Sequence, residues 1–186
     1  MKRLFVVFMV LSILGGCGFG QEALDGALLF RERLLQAEKC EFTCDISADY
    51  GDEIHTFTLV CTTDRDGDVM FSVLEPESIS EISGRISALG GSLTFDDAVL
   101  GFPLLADNTL SPVSSPWILI NSLRNGYMVS CGIEADGMRL RVNDSYEDDA
   151  LVLDICFDAY MTPRYAEIFW SGRRILTLNI EKFEML

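Results

Sequence analysis

The chain has a single histidine, no Cys-x-x-Cys pair, few basic residues and, beyond Leu14, no apolar run long enough to cross a bilayer as a helix. Each shortage excludes something. A histidine-based triad would need His55, in the strand stretch Ile54-His55-Thr56, beside both a nucleophile and an acid. That residue reads instead as an exposed strand position next to a turn. No GxSxG elbow and no P-loop occurs. With one histidine and no paired cysteines, a zinc site lacks its ligand set. Lys and Arg number 14 against 29 Asp and Glu. Nucleic-acid affinity comes mostly from Lys and Arg on phosphates, so no nucleic-acid partner is expected. No cofactor is implied.

What is present begins at the N-terminus. Met-Lys-Arg is followed by an uncharged run from Leu4 to Leu14 and then by Gly15-Gly16-Cys17. A short basic region and a short apolar run form a secretory signal peptide, and the run is well short of the ~20 residues a membrane-spanning helix needs. Leu14-Gly15-Gly16-Cys17 resembles the bacterial lipobox, an aliphatic residue and two small ones before a cysteine that takes the diacylglyceryl group. Residues 1–16 are expected to be removed. Residues 17–22 form a lipidated N-terminus and short tether, and 23–186 form one domain. The expected location is the cell membrane, on its extracytoplasmic side, through acyl chains such as palmitate on Cys17. Removal of Lys2 and Arg3 leaves 12 basic residues against 29 acids, a net charge of −17. Such a surface is repelled by anionic head groups, which gives the covalent anchor more to do.

Five further cysteines remain: Cys40, Cys44, Cys61, Cys131 and Cys156. An odd number outside the cytoplasm leaves at least one thiol free or intermolecular. Cys40 and Cys44 share one face of a strand, and a short turn puts Cys61 on that face. A Cys44–Cys61 or Cys40–Cys61 bridge is one reading. Small buried hydrophobes are the other.

Ala23 to Ala37 has helical spacing, with Ala23, Leu24, Ala27, Leu28, Leu34 and Leu35 as its apolar positions. The period then changes to two. Cys40, Phe42, Cys44, Ile46 and Ala48 alternate with Glu41, Thr43, Asp45, Ser47 and Asp49, the pattern of a strand with one wet face. Two more strands follow, around Phe57 to Cys61 and Val69 to Val73. Pro76 breaks the pattern, and Ser92 to Asp96 reads as a short strand. Ala98 to Pro116 reads as loop because of Pro103, Pro112 and Pro116. Trp117 to Leu123, between Ser115-Pro116 and Asn125-Gly126, reads as a short helix. Strands resume at Tyr127 to Glu134, Met138 to Asn143, Leu151 to Asp158, Tyr165 to Trp170 and Ile175 to Phe183. About ten closely spaced strands with two helices predict an α+β fold. The expected form is one large curved antiparallel sheet, an open half-barrel, wrapped around the N-terminal and central helices.

Two patterns imitate chemistry. Asp64, Asp66, Asp68 and Glu75 match positions of a calcium loop, but position six is Val69 where glycine is needed, and no helices flank it. A hairpin turn is the better reading. Asp96-Asp97 and Asp148-Asp149 are adjacent acids, which point to opposite faces of a strand and read as turn residues rather than a carboxylate pair. The remaining candidate surface is apolar. Phe42, Phe57, Leu59, Phe71, Val73, Phe95 and Leu153 fall on inward strand faces. They form either a core against the helices or, in part, the lining of an acyl-chain cavity.

The order of elements resembles the LolA/LolB/LppX-like lipoprotein-carrier fold, in which a helix precedes an open half-barrel and a loop-helix insertion covers the concave side. Thr162-Pro163-Arg164-Tyr165-Ala166-Glu167-Ile168-Phe169-Trp170 with Gly172-Arg173-Arg174-Ile175 looks like the family's late hairpin. Met70-Phe71-Ser72-Val73-Leu74-Glu75-Pro76 with Ile79 and Gly84 looks like its middle strands. The similarity covers most of residues 23–183, and the lipobox is shared with the anchored members. The resemblance implies binding of a lipid, or of the acyl chains of another lipoprotein, without catalysis. Some relatives in spore-forming bacteria look instead like regulatory lipoproteins that hold an enzyme partner. An open apolar pocket favours the first implication. A side-chain-filled interior with an exposed apolar patch favours a protein partner.

Overall fold

The alternation that starts at Cys40 is realised residue for residue: strand β1 (Cys40–Asp49) buries every even-numbered side chain and leaves every odd one half-exposed. The structure, a computed structural model, describes residues 19–51, 53–102, 105–106 and 109–186; the signal segment 1–16 and Cys17 lie outside the described residues. Helix α1 (Phe19–Gln36) leads into β1, followed by β2 (Ile54–Thr63), β3 (Val69–Glu75), β4 (Ser83–Ser87), β5 (Gly90–Phe95) and β6 (Ala98–Phe102). A small ribbon, β7 (Leu105–Ala106) and β8 (Thr109–Leu110), leads to helix α2 (Ser115–Asn125). The chain then runs through β9 (Tyr127–Glu134), β10 (Gly137–Asn143), β11 (Val152–Phe157), β12 (Pro163–Trp170) and β13 (Arg173–Met185).

Eleven of these strands form one antiparallel sheet in the order β6-β5-β4-β3-β2-β1-β13-β12-β11-β10-β9. Two meanders are zipped together where β1 pairs with β13 (Cys44 opposite Ile180, Ile46 opposite Leu178). Strands β6 and β9 do not pair, so the sheet stays open. It is an α+β half-barrel with two helices on its concave side. No helix among the described residues is long and apolar enough to cross a membrane.

Three local readings are corrected. The segment from Ala98 is not all loop: β6 pairs with β5 through the tight turn Asp96-Asp97, both at positive φ (48° and 62°). Two positive-φ residues in a two-residue turn match the right-handed strand twist. The prolines tolerate this because β6 ends at Phe102, before Pro103. Second, β4 was hidden by its glycine. A Cβ on Gly84 would lie 2.7 Å from the Phe71 ring and 2.3 Å from the Ser92 carbonyl oxygen. Third, α1 starts at Phe19 and buries Ala23, Ala27, Phe30 and Leu34, whereas Leu28 and Leu35 face out. The buried stripe repeats at i, i+4, i+7 and i+11, and Leu28 and Leu35 lie a quarter-turn or more away from its centre.

The sheet has two ends. At its base β1 begins, β2 and β11 end, β12 begins and β13 ends; the mouth is opposite. α1 crosses the base. Phe30 meets Phe157 edge-on at 4.9 Å between ring centroids and Phe183 at 6.1 Å, and Phe42 stacks on Phe183 at 5.5 Å. α2 fills the middle with Ile118, Leu119, Ile120 and Leu123. Arg31 joins the helices: its Nε donates to the Leu123 carbonyl and its Nη2 to the Gly126 carbonyl, both at 2.7 Å. Those carbonyls end α2, where a cation also meets the negative pole of the helix dipole.

Candidate functional site

The seven apolar strand residues divide. Phe42, Leu59, Phe71, Val73 and Leu153 are at most 3% exposed. At that exposure they pack among neighbouring side chains, and none of them lines the hollows at the mouth. Phe57 is half-buried at the edge of this core. Phe95 is 49% exposed at the tip of β5, past the reach of the helices. Five of the seven are thus buried in the core, Phe57 lines a hollow of about 330 Å³ with Ile46, Glu75 and Pro76, and Phe95 stands outside the core.

A wide, shallow hollow of about 580 Å³ lies over β4 to β6, beside Arg85 and Phe102, and more apolar space opens at the mouth. A hollow of about 460 Å³ is lined by Tyr50, Leu110, Trp170, Ile175 and Leu176, with Asp49 and Arg173 at its rim. It adjoins a second of about 230 Å³, which shares Leu110 and Trp170 and adds Trp117, Ile118, Leu151 and Asp144. These side chains come from chain reversals. Tyr50 follows the last residue of β1, Trp170 ends β12, and Trp117 is in the first turn of α2. Aromatic residues bring large apolar surface with a polar edge, suited to a site that is neither core nor open water. Strand alternation does not mark them, because they sit where the alternation ends. Their one legible signal is the placement of both tryptophans beside turns.

Short polar contacts hold the rim. The Tyr50 hydroxyl donates to the Leu110 carbonyl at 3.1 Å, tying the β1–β2 turn to β8. Burial pushes that phenol's pKa up, so it stays a donor. Arg173 Nη2 donates to both the carbonyl and the carboxylate of Asp49 at 3.3 Å. Asp144 accepts the Leu151 amide at 2.8 Å, yet its carboxyl is shifted upward because burial outweighs that bond.

His55 lies near this rim, 3.2 Å from Glu53 and with its ring 5.9 Å from that of Tyr50. The calcium-like loop is a turn. Asp64 Oδ1 accepts the amides of Asp66 and Asp68, and Arg85 bridges Asp64 and Asp68 at 3.2 and 2.7 Å. A guanidinium thus neutralises the carboxylates that a cation would need. No cluster of three or more potential metal ligands occurs among the described residues. The five described cysteines are free thiols. Cys44 and Cys61 lie diagonally across β1 and β2 on the concave face, and Cys40 pairs across to Thr63. Burial, followed by the neighbouring Cys44, pushes the Cys61 thiol well up. Burial also raises Cys40, Cys131 and Cys156. A raised thiol is a poor nucleophile at neutral pH.

On the convex face, Glu167 receives Arg174 Nη1 at 2.7 Å and the Tyr165 hydroxyl at 3.1 Å. Arg174 above all holds the Glu167 carboxyl below the ordinary range. This network braces β12 against β13, on the side of the sheet away from the hollows.

The molecule is thus an open half-barrel with a large buried apolar core and an apolar hollow at its mouth. No family model matches the chain, and no curated protein matches it by sequence. Solved structures do resemble it. A LolA superfamily protein from Nitrosomonas europaea is 9% identical, over 91% of this chain and 94% of that one, with a TM-score of 0.48. An uncharacterized conserved protein from Thermus thermophilus is 12% identical over 89% and 86%, also with a TM-score of 0.48. The Mycobacterium tuberculosis lipoprotein LppX is 8% identical over 88% and 95%, with a TM-score of 0.43. Likeness at this level assigns no activity, and the half-barrel rests on the strand order itself.

Proposed function

We propose that this chain is a non-catalytic lipoprotein of the cell envelope that binds an acyl chain, from a lipid or from another lipoprotein, in the hollow at its mouth. The observation that carries the reading is the 460 Å³ space walled by Tyr50, Leu110, Trp170, Ile175 and Leu176. Ligand pockets commonly run ~300–1,000 Å³ with mostly apolar walls and a few polar groups. Arg173 at the rim, paired there with Asp49, keeps the entrance polar while the walls behind it are apolar. The lipid-bearing residue is Cys17, which holds the domain to the membrane on the extracytoplasmic side. The signal segment and lipobox support that anchor.

Native mass spectrometry of the protein released gently from membranes tests the ligand. A bound mass of fatty-acid or phospholipid size is expected, and its consistent absence removes the proposal. Cys17→Ser should leave the protein in the soluble fraction; retention in membranes would refute lipidation. One observation favours a second reading, a protein partner in place of a lipid. The interior behind the mouth is filled by side chains, and Val99 and Leu100 of the edge strand β6 are exposed.

A further inference from the structure

We infer that the base of the half-barrel, faced by the exposed leucines of α1, rests on the bilayer that holds Cys17, and that the mouth opens away from that bilayer. The inference depends on the proposed lipid anchor. Only Gly18 separates Cys17 from the first residue of α1. Two residues of chain reach at most ~7 Å, about the depth of one head-group layer, so the start of α1 stays at the membrane surface.

The first turns of α1 run beside β9, with the Gly20 carbonyl 3.9 Å from Cys131 Sγ, and three contacts tie the rest of the helix to the base. Gly26 faces Met161 in the turn between β11 and β12: a Cβ there would come within 3.2 Å of Met161 Cε. Phe30 packs on Phe157, the last residue of β11, and on Phe183 near the end of β13. Beyond Ala37, the amide of Glu38 donates to the carbonyl of Leu186 at 2.8 Å. All three belong to the base. The surface that α1 turns away from the core carries Leu28, Leu29 and Leu35, exposed by 48, 57 and 46%. Beside it, Tyr160 stands 86% exposed on the β11–β12 turn. Amphipathic helices with exposed leucines lie in membrane interfaces, and tyrosine is enriched at head-group depth. The acids Glu22, Asp25 and Glu32 share this surface, so it fits a neutral bilayer better than an anionic one.

The mouth is at the other end of the same strands. From Pro163 at the base to Trp170 at the mouth, β12 rises seven residues, or ~23 Å. A ligand therefore reaches the mouth from the aqueous side and not by sliding up from the anchoring leaflet.

The two tryptophans of the chain, Trp117 and Trp170, both line the mouth and report on its depth. The full lipidated protein is reconstituted into phosphatidylcholine vesicles with brominated acyl chains, which quench indoles on contact. Flotation with the vesicles is expected, with tryptophan emission quenched by aqueous acrylamide and, once excess unbrominated fatty acid occupies the mouth, unchanged by bromination. In a Trp117→Phe, Trp170→Phe background, Leu28→Trp should lose most of its emission to the brominated chains. Leu35→Trp is the second reporter should Leu28→Trp fail to fold by circular dichroism. Quenching of the mouth tryptophans by bromolipid that excess unbrominated fatty acid does not relieve, or none at both helix positions, overturns the orientation while leaving the anchor intact. Wild-type protein that does not float overturns the anchor, and the orientation with it.

Discussion

The two ends of the sheet use similar residues to opposite effect. At the base, Phe30, Phe42, Phe157 and Phe183 touch one another, and Phe42 is 2% exposed. At the mouth, Tyr50, Trp117 and Trp170 stand around space that no side chain fills. The difference lies in what covers each end. α1 crosses the base with Ala23, Ala27 and Leu34 closing down beside Phe30. α2 borders the hollows only with its first turn, through Trp117 and Ile118. Aromatic area at the base is therefore spent on stability, while at the mouth it remains available to a ligand.

The contrast predicts a graded series. Phe42→Ala should cost ~3–5 kcal/mol, as buried Phe truncations do, in urea unfolding followed by circular dichroism. A cost under ~1 kcal/mol would mean that the base is not the packed end. Arg31→Ala should come next at ~1.5–3 kcal/mol, the scale of hydrogen bonds made by a charged group. It unties α1 from the end of α2. Trp170→Ala reverses the pattern, with a stability loss below ~1 kcal/mol and a loss of ligand uptake that Phe42→Ile does not share. An equal stability loss at Trp170 and Phe42 would erase the distinction between the ends.

The smallest effect is electrostatic. The folded pKa of Glu167 is lowered, chiefly by Arg174, so its contribution is present above the ordinary glutamate range and lost as pH falls through the lowered value. Asp158 behaves alike: burial opposes ionisation there, but the Thr162 amide and Arg164 outweigh it. Asp144 has the opposite sign, since burial raises its folded pKa. Its contribution is present in acid and lost as pH rises through that raised value. Glu167→Gln should therefore flatten the loss of stability in acid, and Asp144→Asn should flatten the opposing trend at the mouth. An unchanged acid limb in Glu167→Gln would show that the brace between β12 and β13 contributes nothing.

Most strands were legible in the sequence because one of their faces is buried. In β1 the alternation from Cys40 to Asp49 is the burial pattern itself. In β4 to β6 it is not: β5 has no fully buried residue, and Val99 and Leu100 of β6 are both exposed. Sequence periodicity reports burial, so strands that the helices do not cover carry little of it. The prolines then made Ala98 to Pro116 look like loop. The candidate site was less legible still. Phe42, Leu59, Phe71, Val73 and Leu153 were recognisable as one inward face, but whether such a face is filled or hollow depends on how far α2 reaches across it. The mouth residues come together from turns distant in sequence. Tyr50 and Leu110 meet across sixty positions through one hydroxyl–carbonyl bond, and no local pattern announces such a meeting.

Uptake of a fluorescent fatty acid by the chain carrying Cys17→Ser, titrated with and without Trp170→Ala, bears directly on the role of the mouth. Saturable binding of one ligand per chain is expected, with quenching of Trp117 and Trp170 emission and much weaker binding in Trp170→Ala. No saturable uptake, or uptake that ignores Trp170→Ala and is lost on changing Phe57 and Phe95, would contradict an acyl-binding mouth.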